Sequence, residues 1–234
     1  MKLLAGIPLP PGCPPDVSLW RVDVAFDGYL DDEIFAQLSE DERARAKSFH
    51  RTSDALRFAT VRAALRELLA DRIGVMPAQV TLAKGEFGRP MLMHQHSLDF
   101  NVSHSGSYGL IALSSRRRVG VDIEMRATDV DWRAVAELAL DPAERASIER
   151  LNAAQQLEAF YDVWVMKESI VKAAGIGLTE DLRRLSVLPD GEGLVRGHSC
   201  STENAARFRV ATLPGPDGYR ACVAWSERAD LNLR

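Results

Sequence analysis

Leu38…Glu42-Arg43-Ala44 and, 102 positions later, Leu140…Glu144-Arg145-Ala146 set out one pattern twice in a single chain. The same offset lays Phe58 on Phe160, near the start of a long helical run in each half. Self-similarity at a fixed spacing marks a repeated structural unit. Few identities carry it, and chance similarity is the alternative. Taken as a repeat, the pattern predicts two similar α/β lobes with a cleft between them, a place where ligands often bind.

Outward from these segments the chain alternates strands and helices. Val17 to Ala25 reads as a strand. Asp31 to Phe49 reads as a helix with an acidic start, and Ser53 to Ile73 as a second helix, closed by Gly74. Pro77 to Leu82 suggests a turn and a short strand, and Gly85 to Pro90 a loop. Leu98 to Val102 and Tyr108 to Leu113 read as strands. The charged break Ser114-Ser115-Arg116-Arg117-Arg118 separates the halves, so the expected lobes are 1–115 and 119–234, with 116–118 as the link. The second half gives a strand at Val119 to Glu124 and helices at Trp132 to Leu140, Pro142 to Leu151 and Gln155 to Ala174. Strands at Leu185 to Leu188, Ala206 to Leu213 and Tyr219 to Trp225 complete it.

Composition narrows the class. Of 234 residues 46% are hydrophobic and 26% charged, which excludes wholesale disorder. The 29 basic and 33 acidic side chains leave a net charge of −4, unlike a protein that coats nucleic acid. Cys13, Cys200 and Cys222 lack metal or disulfide spacing. Met1 to Ile7 faintly imitates a leader, but prolines from Pro8 onward interrupt it, and no apolar run is long enough to span a bilayer. A soluble cytoplasmic protein is expected.

Residues 43–66 hold seven basic side chains against Asp54 alone, while the second half carries an acidic surplus. A cationic lobe facing an acidic one suits phosphates held beside a divalent metal. A solvated basic helix face is the other reading. In Gly120-Val121-Asp122-Ile123-Glu124, strand alternation puts Asp122 and Glu124 on one face, where a cation between them would relieve their repulsion. An exposed strand edge looks the same. In Trp164-Val165-Met166-Lys167-Glu168-Ser169-Ile170-Val171-Lys172, helical spacing lines up Trp164, Glu168 and Lys172. Glu168 and Lys172 could form a surface ion pair, or serve a metal or proton and a phosphate. Asn101-Val102-Ser103-His104-Ser105-Gly106 offers hydroxyls, an imidazole and backbone N–H groups to phosphate. It is no serine hydrolase, because Ser103 and His104 are adjacent and no G-x-S-x-G elbow exists. His94-x-His96 has no third metal ligand nearby, and Gly175-x-Gly177 follows a helix, as a C-cap does.

In order, Gly88-Arg89-Pro90, Asn101 to Gly106, Gly120 to Glu124 and Trp164-x-x-Lys167-Glu168-Ser169-x-x-Lys172 closely resemble the 4′-phosphopantetheinyl transferases. The likeness is to the longer, monomeric, Sfp-type branch, and it runs from about residue 40 to residue 178. It implies an α+β fold of two pseudo-symmetric lobes, each a small, mostly antiparallel sheet packed on a long helix, with the active site in the cleft. The implied reaction moves the phosphopantetheine arm of coenzyme A onto a serine of an apo acyl or peptidyl carrier protein and releases adenosine 3′,5′-bisphosphate. By that resemblance Asp122, Glu124 and Glu168 would hold Mg²⁺, or Mn²⁺ in its place. Glu168 would take the serine proton and Lys172 would neutralise the pyrophosphate. Arg89, Ser103 and His104 would hold nucleotide and phosphates, and Arg45 and Arg57 would meet the 3′-phosphate and adenine. The chain departs from the pattern just ahead of Arg45, where Glu42, with Arg43 beside it, stands in place of a basic residue that relatives carry. A coenzyme A binder without transferase activity and a Mg²⁺-dependent phosphohydrolase are the competing classes.

Overall fold

The computed structural model describes residues 3–26, 32–85, 87–93, 98–127, 130–176, 182–187, 195–196, 198–199 and 208–229. His94, His96, Gly177 and Cys200 lie outside them. The first half contains β1 (Leu3–Gly6), β2 (Val17–Asp23), α1 (Asp32–Gln37), α2 (Glu40–Lys47), α3 (Thr52–Ile73), β3 (Leu82–Lys84), β4 (Pro90–Leu92), β5 (Asp99–Ser105) and β6 (Tyr108–Ser114). The second contains β7 (Val119–Met125), α4 (Trp132–Ala139), α5 (Pro142–Glu149), α6 (Ala153–Ala174), β8 (Leu185–Ser186), β9 (Val195–Arg196), β10 (His198–Ser199), β11 (Phe208–Leu213) and β12 (Tyr219–Ser226). One antiparallel sheet has the order β1-β2-β6-β5 and the other β7-β12-β11-β9.

The repeat is carried by these elements even where identities are few. β2 and β7 begin and end 102 residues apart, as do α2 and α5, while α3 and α6 are offset by 101. Each long helix stops at a left-handed glycine, Gly74 at φ 73° and Gly175 at φ 72°. The sheet orders β2-β6-β5 and β7-β12-β11 match strand for strand. Their inner faces share one core, in which Val17, Leu19 and Ala112 meet Val121, Ile123 and Trp225. On the outer faces α3 packs Val61, Leu65 and Leu69 against Phe100 and Ile111, and α6 packs Val165, Ile170 and Ala173 against Val210 and Cys222. Gly120 permits the second contact, because a Cβ there would lie 2.0 Å from the Ser169 carbonyl oxygen.

Two expectations change. The helix read over Asp31 to Phe49 is broken at Leu38–Ser39. The Ser39 side chain accepts from the Glu42 N–H while Glu42 accepts from the Ser39 N–H, and this reciprocal cap starts a new helix. Leu3 to Gly6, not read as a strand from the sequence, forms β1 and pairs with Trp20 to Asp23. The link at 116–118 is pinned: Arg117 reaches Asp16 and the carbonyls of Ser226 and Glu227. No described helix is long and apolar enough to cross a membrane.

Each half also buries one ion pair at matched positions. Glu42 receives Arg66 Nε at 2.5 Å, and Glu144, in a second reciprocal cap with Asp141, receives Lys167 Nζ at 2.5 Å. Lys167 donates further to the Ala139 and Leu182 carbonyls, and Glu144 accepts the Val187 N–H. Lys167, one residue from Glu168, therefore faces away from solvent and holds α6 to α5. Lys167→Met should cost roughly 3–5 kcal/mol in urea unfolding because Glu144 is left as a lone buried charge. Adding Glu144→Gln should recover most of that loss; a single variant as stable as the parent would show that the pair carries no such charge.

Candidate active site

β7 is the edge of its sheet, and its N–H groups at alternate residues point off that edge towards β5. Four side chains of β5 receive them: Asp99 Oδ2 from Val119 (2.8 Å), Asn101 Oδ1 from Val121 (3.0 Å), Ser103 Oγ from Ile123 (3.4 Å) and Ser105 Oγ from Met125 (3.1 Å). The strands run the same way in this side-chain ladder, which satisfies edge groups that would otherwise be buried unpaired. Two of its members also aim the carboxylates. Ser103 Oγ donates to Asp122 Oδ1 at 2.7 Å, and Ser105 Oγ donates to Glu124 Oε2 at 2.9 Å.

From the other side α6 brings Glu168 and Lys172, one turn apart. Lys172 Nζ donates to Asp122 Oδ1 at 2.5 Å and to Ser103 Oγ at 3.0 Å. The Ser103 hydroxyl thus uses its one donor and both acceptor positions within the protein. Asp122 is 1% exposed. Burial, helped by the charges of Asp122 and Glu124 and opposed by Lys172, pushes the Glu168 carboxyl up to about 7. Burial and Asp122 also raise Glu124. Asp122 Oδ2 and Glu168 Oε1 are buried without a protein partner. Among the described residues no three His, Cys, Asp or Glu side chains form a ready metal cage. Two orphan carboxylate oxygens do fit an open Mg²⁺ site, since that ion keeps waters and recruits phosphate oxygens.

The remaining expected residues divide. Arg89 Nη2 donates to Asp99 Oδ2 (2.7 Å) and to the Phe100 and Val119 carbonyls, while Nη1 reaches the Lys172 and Ala173 carbonyls. Both Nη groups are occupied by protein acceptors from the two halves, so Arg89 joins the lobes. Arg57 donates to the Gly106 carbonyl at 2.7 Å and to Asp54 at 2.9 Å, tying α3 to the β5–β6 turn. His104 is exposed. The surrounding protein, and then the cations Arg57, Lys172 and Arg62, hold its imidazole below the ordinary pKa. Trp164, expected beside Glu168, is partly buried and packs on Phe160 at the edge of the core.

Two cavities flank the Gly88-Arg89-Pro90 turn. One, of about 280 Å³, lies between the lobes and is lined by Phe87, Asn101, Val102, Glu168 and Lys172. The other, of about 330 Å³, is lined by Glu42, Arg45, Phe58, Arg62, Arg66 and Lys84. Arg45 and Arg62 both lie over the Phe58 ring, at 5.2 and 5.6 Å. Arg62 was not singled out by sequence reasoning. Its place four residues after Phe58 on α3 is the signal that could have found it.

The halves match two family profiles. Residues 118–224 match the 4′-phosphopantetheinyl transferase superfamily, and residues 32–116 match 4′-phosphopantetheinyl transferase, N-terminal. The Synechocystis protein slr0495, named for the same transferase, is 32% identical over 198 residues, covering 81% of this chain and 80% of its own length. A 4′-phosphopantetheinyl transferase of Bacillus subtilis is 29% identical over 201 residues, covering 86% of this chain and 81% of its own. Among solved structures, the Chronobacterium ammoniagenes ACPS–CoA complex is 17% identical, with a TM-score of 0.38 over 48% of this chain and 97% of its own.

Arg89→Ala should lower stability by more than about 2 kcal/mol, since several charge-assisted bonds across the lobes are lost and buried carbonyls are left bare. Urea denaturation checks this, and an unchanged midpoint would free Arg89 for another role.

Proposed function

The chain belongs to the 4′-phosphopantetheinyl transferase superfamily, and from that premise we propose the reaction it runs. It transfers the 4′-phosphopantetheine arm of coenzyme A to a serine hydroxyl of an apo acyl or peptidyl carrier protein, leaving adenosine 3′,5′-bisphosphate. The observation that carries this reading is the meeting of two α6 side chains in the cleft: Glu168, buried with one unpartnered oxygen, and Lys172, paired with Asp122.

The carrier serine loses its proton to Glu168, directly or through a water, as its Oγ attacks the phosphorus on the pantetheine side. The P–O bond to the departing adenosine bisphosphate breaks, and Lys172 neutralises the charge that develops there. Glu168 keeps one buried carboxylate oxygen without a protein partner, and that oxygen is free to accept the proton. Asp122, Glu124 and Glu168 would hold Mg²⁺, or Mn²⁺, which when bound neutralises pyrophosphate oxygens. Ser103 fixes Lys172 and Asp122, and Ser105 fixes Glu124.

The cavity at Arg45, Arg62 and Lys84 takes the 3′-phosphate and adenine end, and the cavity at Glu168 and Lys172 takes the pyrophosphate end. His104, its pKa lowered beside Arg57, Lys172 and Arg62, serves as a neutral hydrogen-bonding group. Both lobes of the cleft come from one chain, which supports a monomer. The basic run at residues 43–66 offers an acidic carrier a complementary surface.

Intact-mass spectrometry of an apo carrier incubated with the protein, coenzyme A and Mg²⁺ tests the reaction. The carrier should gain one phosphopantetheine. Glu168→Gln should slow the transfer at least ~100-fold while coenzyme A still binds. Unchanged transfer would remove Glu168 from the proton step, and no gain on any carrier type would sink the transferase reading.

A further inference from the structure

A carboxylate in the wall of a phosphate pocket opposes its ligand. Glu42 is such a carboxylate, in the cavity that also presents Arg45 and Arg62. Its Oε2 accepts Arg66 Nε at 2.5 Å, and Arg66 is 2% exposed. Arg66 is itself fixed by the Pro77 and Val80 carbonyls, each at 2.9 Å. The pair joins α2, which carries Arg45, to α3, which carries Arg62. The matched pair in the second half, Glu144–Lys167, does the same for α5 and the helix that carries Glu168.

We infer that Arg66 is a positioning residue acting through Glu42: it cancels that carboxylate, so that Arg45 and Arg62 keep a net attraction for the 3′-phosphate of coenzyme A. The inference rests on the reading of this cavity as the nucleotide end. It gives the acidic residue ahead of Arg45 a task within the pocket: Glu42 caps α2 and anchors the brace, and Arg66 removes its charge from the ligand's view. A protein without the arginine would leave a lone carboxylate in the wall of the cavity that takes the phosphate, where it would repel the ligand.

Calorimetric binding of coenzyme A and of dephospho-coenzyme A, which lacks only the 3′-phosphate, tests this on the full chain. The wild type should prefer coenzyme A. Arg66→Met should weaken coenzyme A at least ~tenfold and dephospho-coenzyme A much less. Glu42→Gln/Arg66→Met, which buries no lone charge, should return to within about threefold of the wild type. Glu42→Gln alone should bind coenzyme A at least as tightly as the wild type, and this variant and the double one report even where Arg66→Met does not fold. An Arg66→Met protein with the wild-type preference would overturn the inference. So would a double variant with no better preference for coenzyme A than Arg66→Met, which would assign Arg66 a direct phosphate contact, or a weakened Glu42→Gln. Equal binding of both ligands by the wild type would overturn the cavity assignment and the brace with it, whereas failure of the variants alone leaves the cavity assignment standing.

Discussion

The edge of β7 has to be closed without another strand, and the rest of the site follows from how that is done. Backbone pairing by β5 would have satisfied the N–H groups but left its side chains uncommitted. Instead Asp99, Asn101, Ser103 and Ser105 reach across, so each bond that joins the lobes also fixes a side chain. Two of these, the serine hydroxyls, have a donor to spare and give it to Asp122 and Glu124. Lobe docking and carboxylate aiming are thus one set of hydrogen bonds. Arg89 seals one end of the same seam, where it shares Asp99 with Val119 and reaches the last turn of α6.

Closing the seam dehydrates charge, and the arrangement depends on where each charge finds its partner. Lys172 and Asp122 hold one another, and Lys167 and Glu144 do so one helical face away. Glu168 is the exception: burial, helped by the charges of Asp122 and Glu124, outweighs the pull of Lys172, so its proton is retained to higher pH than usual. Burial raises the cost of ionising Glu168, and the charge of Lys172 offsets part of that cost.

Much of this was legible in residue order. Helical spacing located α3 and α6 to within a few residues, glycine located their ends, and strand alternation located β7 with both carboxylates on one face. The 102-residue offset held for a strand and a short helix although few residues are identical, because the spacing of elements is preserved by packing more strictly than the residues themselves. What was hidden depends on contacts between distant segments. Nothing near Arg89 says that its donors end on α6 and β7, and nothing near Lys167 says that Glu144 waits for it. Ser103 reads as a phosphate donor in a Ser-His-Ser-Gly turn; only the β5–β7 register reveals a hydroxyl with no free capacity. The break at Ser39 was readable, since Ser39 and Glu42 have the reciprocal cap spacing, but the acidic run before it masked the second start.

The matched strands β2 and β7 also differ in a telling way. At the positions of Asp122 and Glu124 the first half has Trp20, partly buried with Arg72 over its ring at 5.6 Å, and Val22, wholly buried. In an assembly of identical chains every substitution appears on both sides of the symmetry axis, so a strand cannot lose its acids at one seam and keep them at the other. With both halves on one chain the two strands mutate independently. One copy is free to become core and cationic pocket while the other keeps the carboxylates, and the molecule concentrates its chemistry at a single seam.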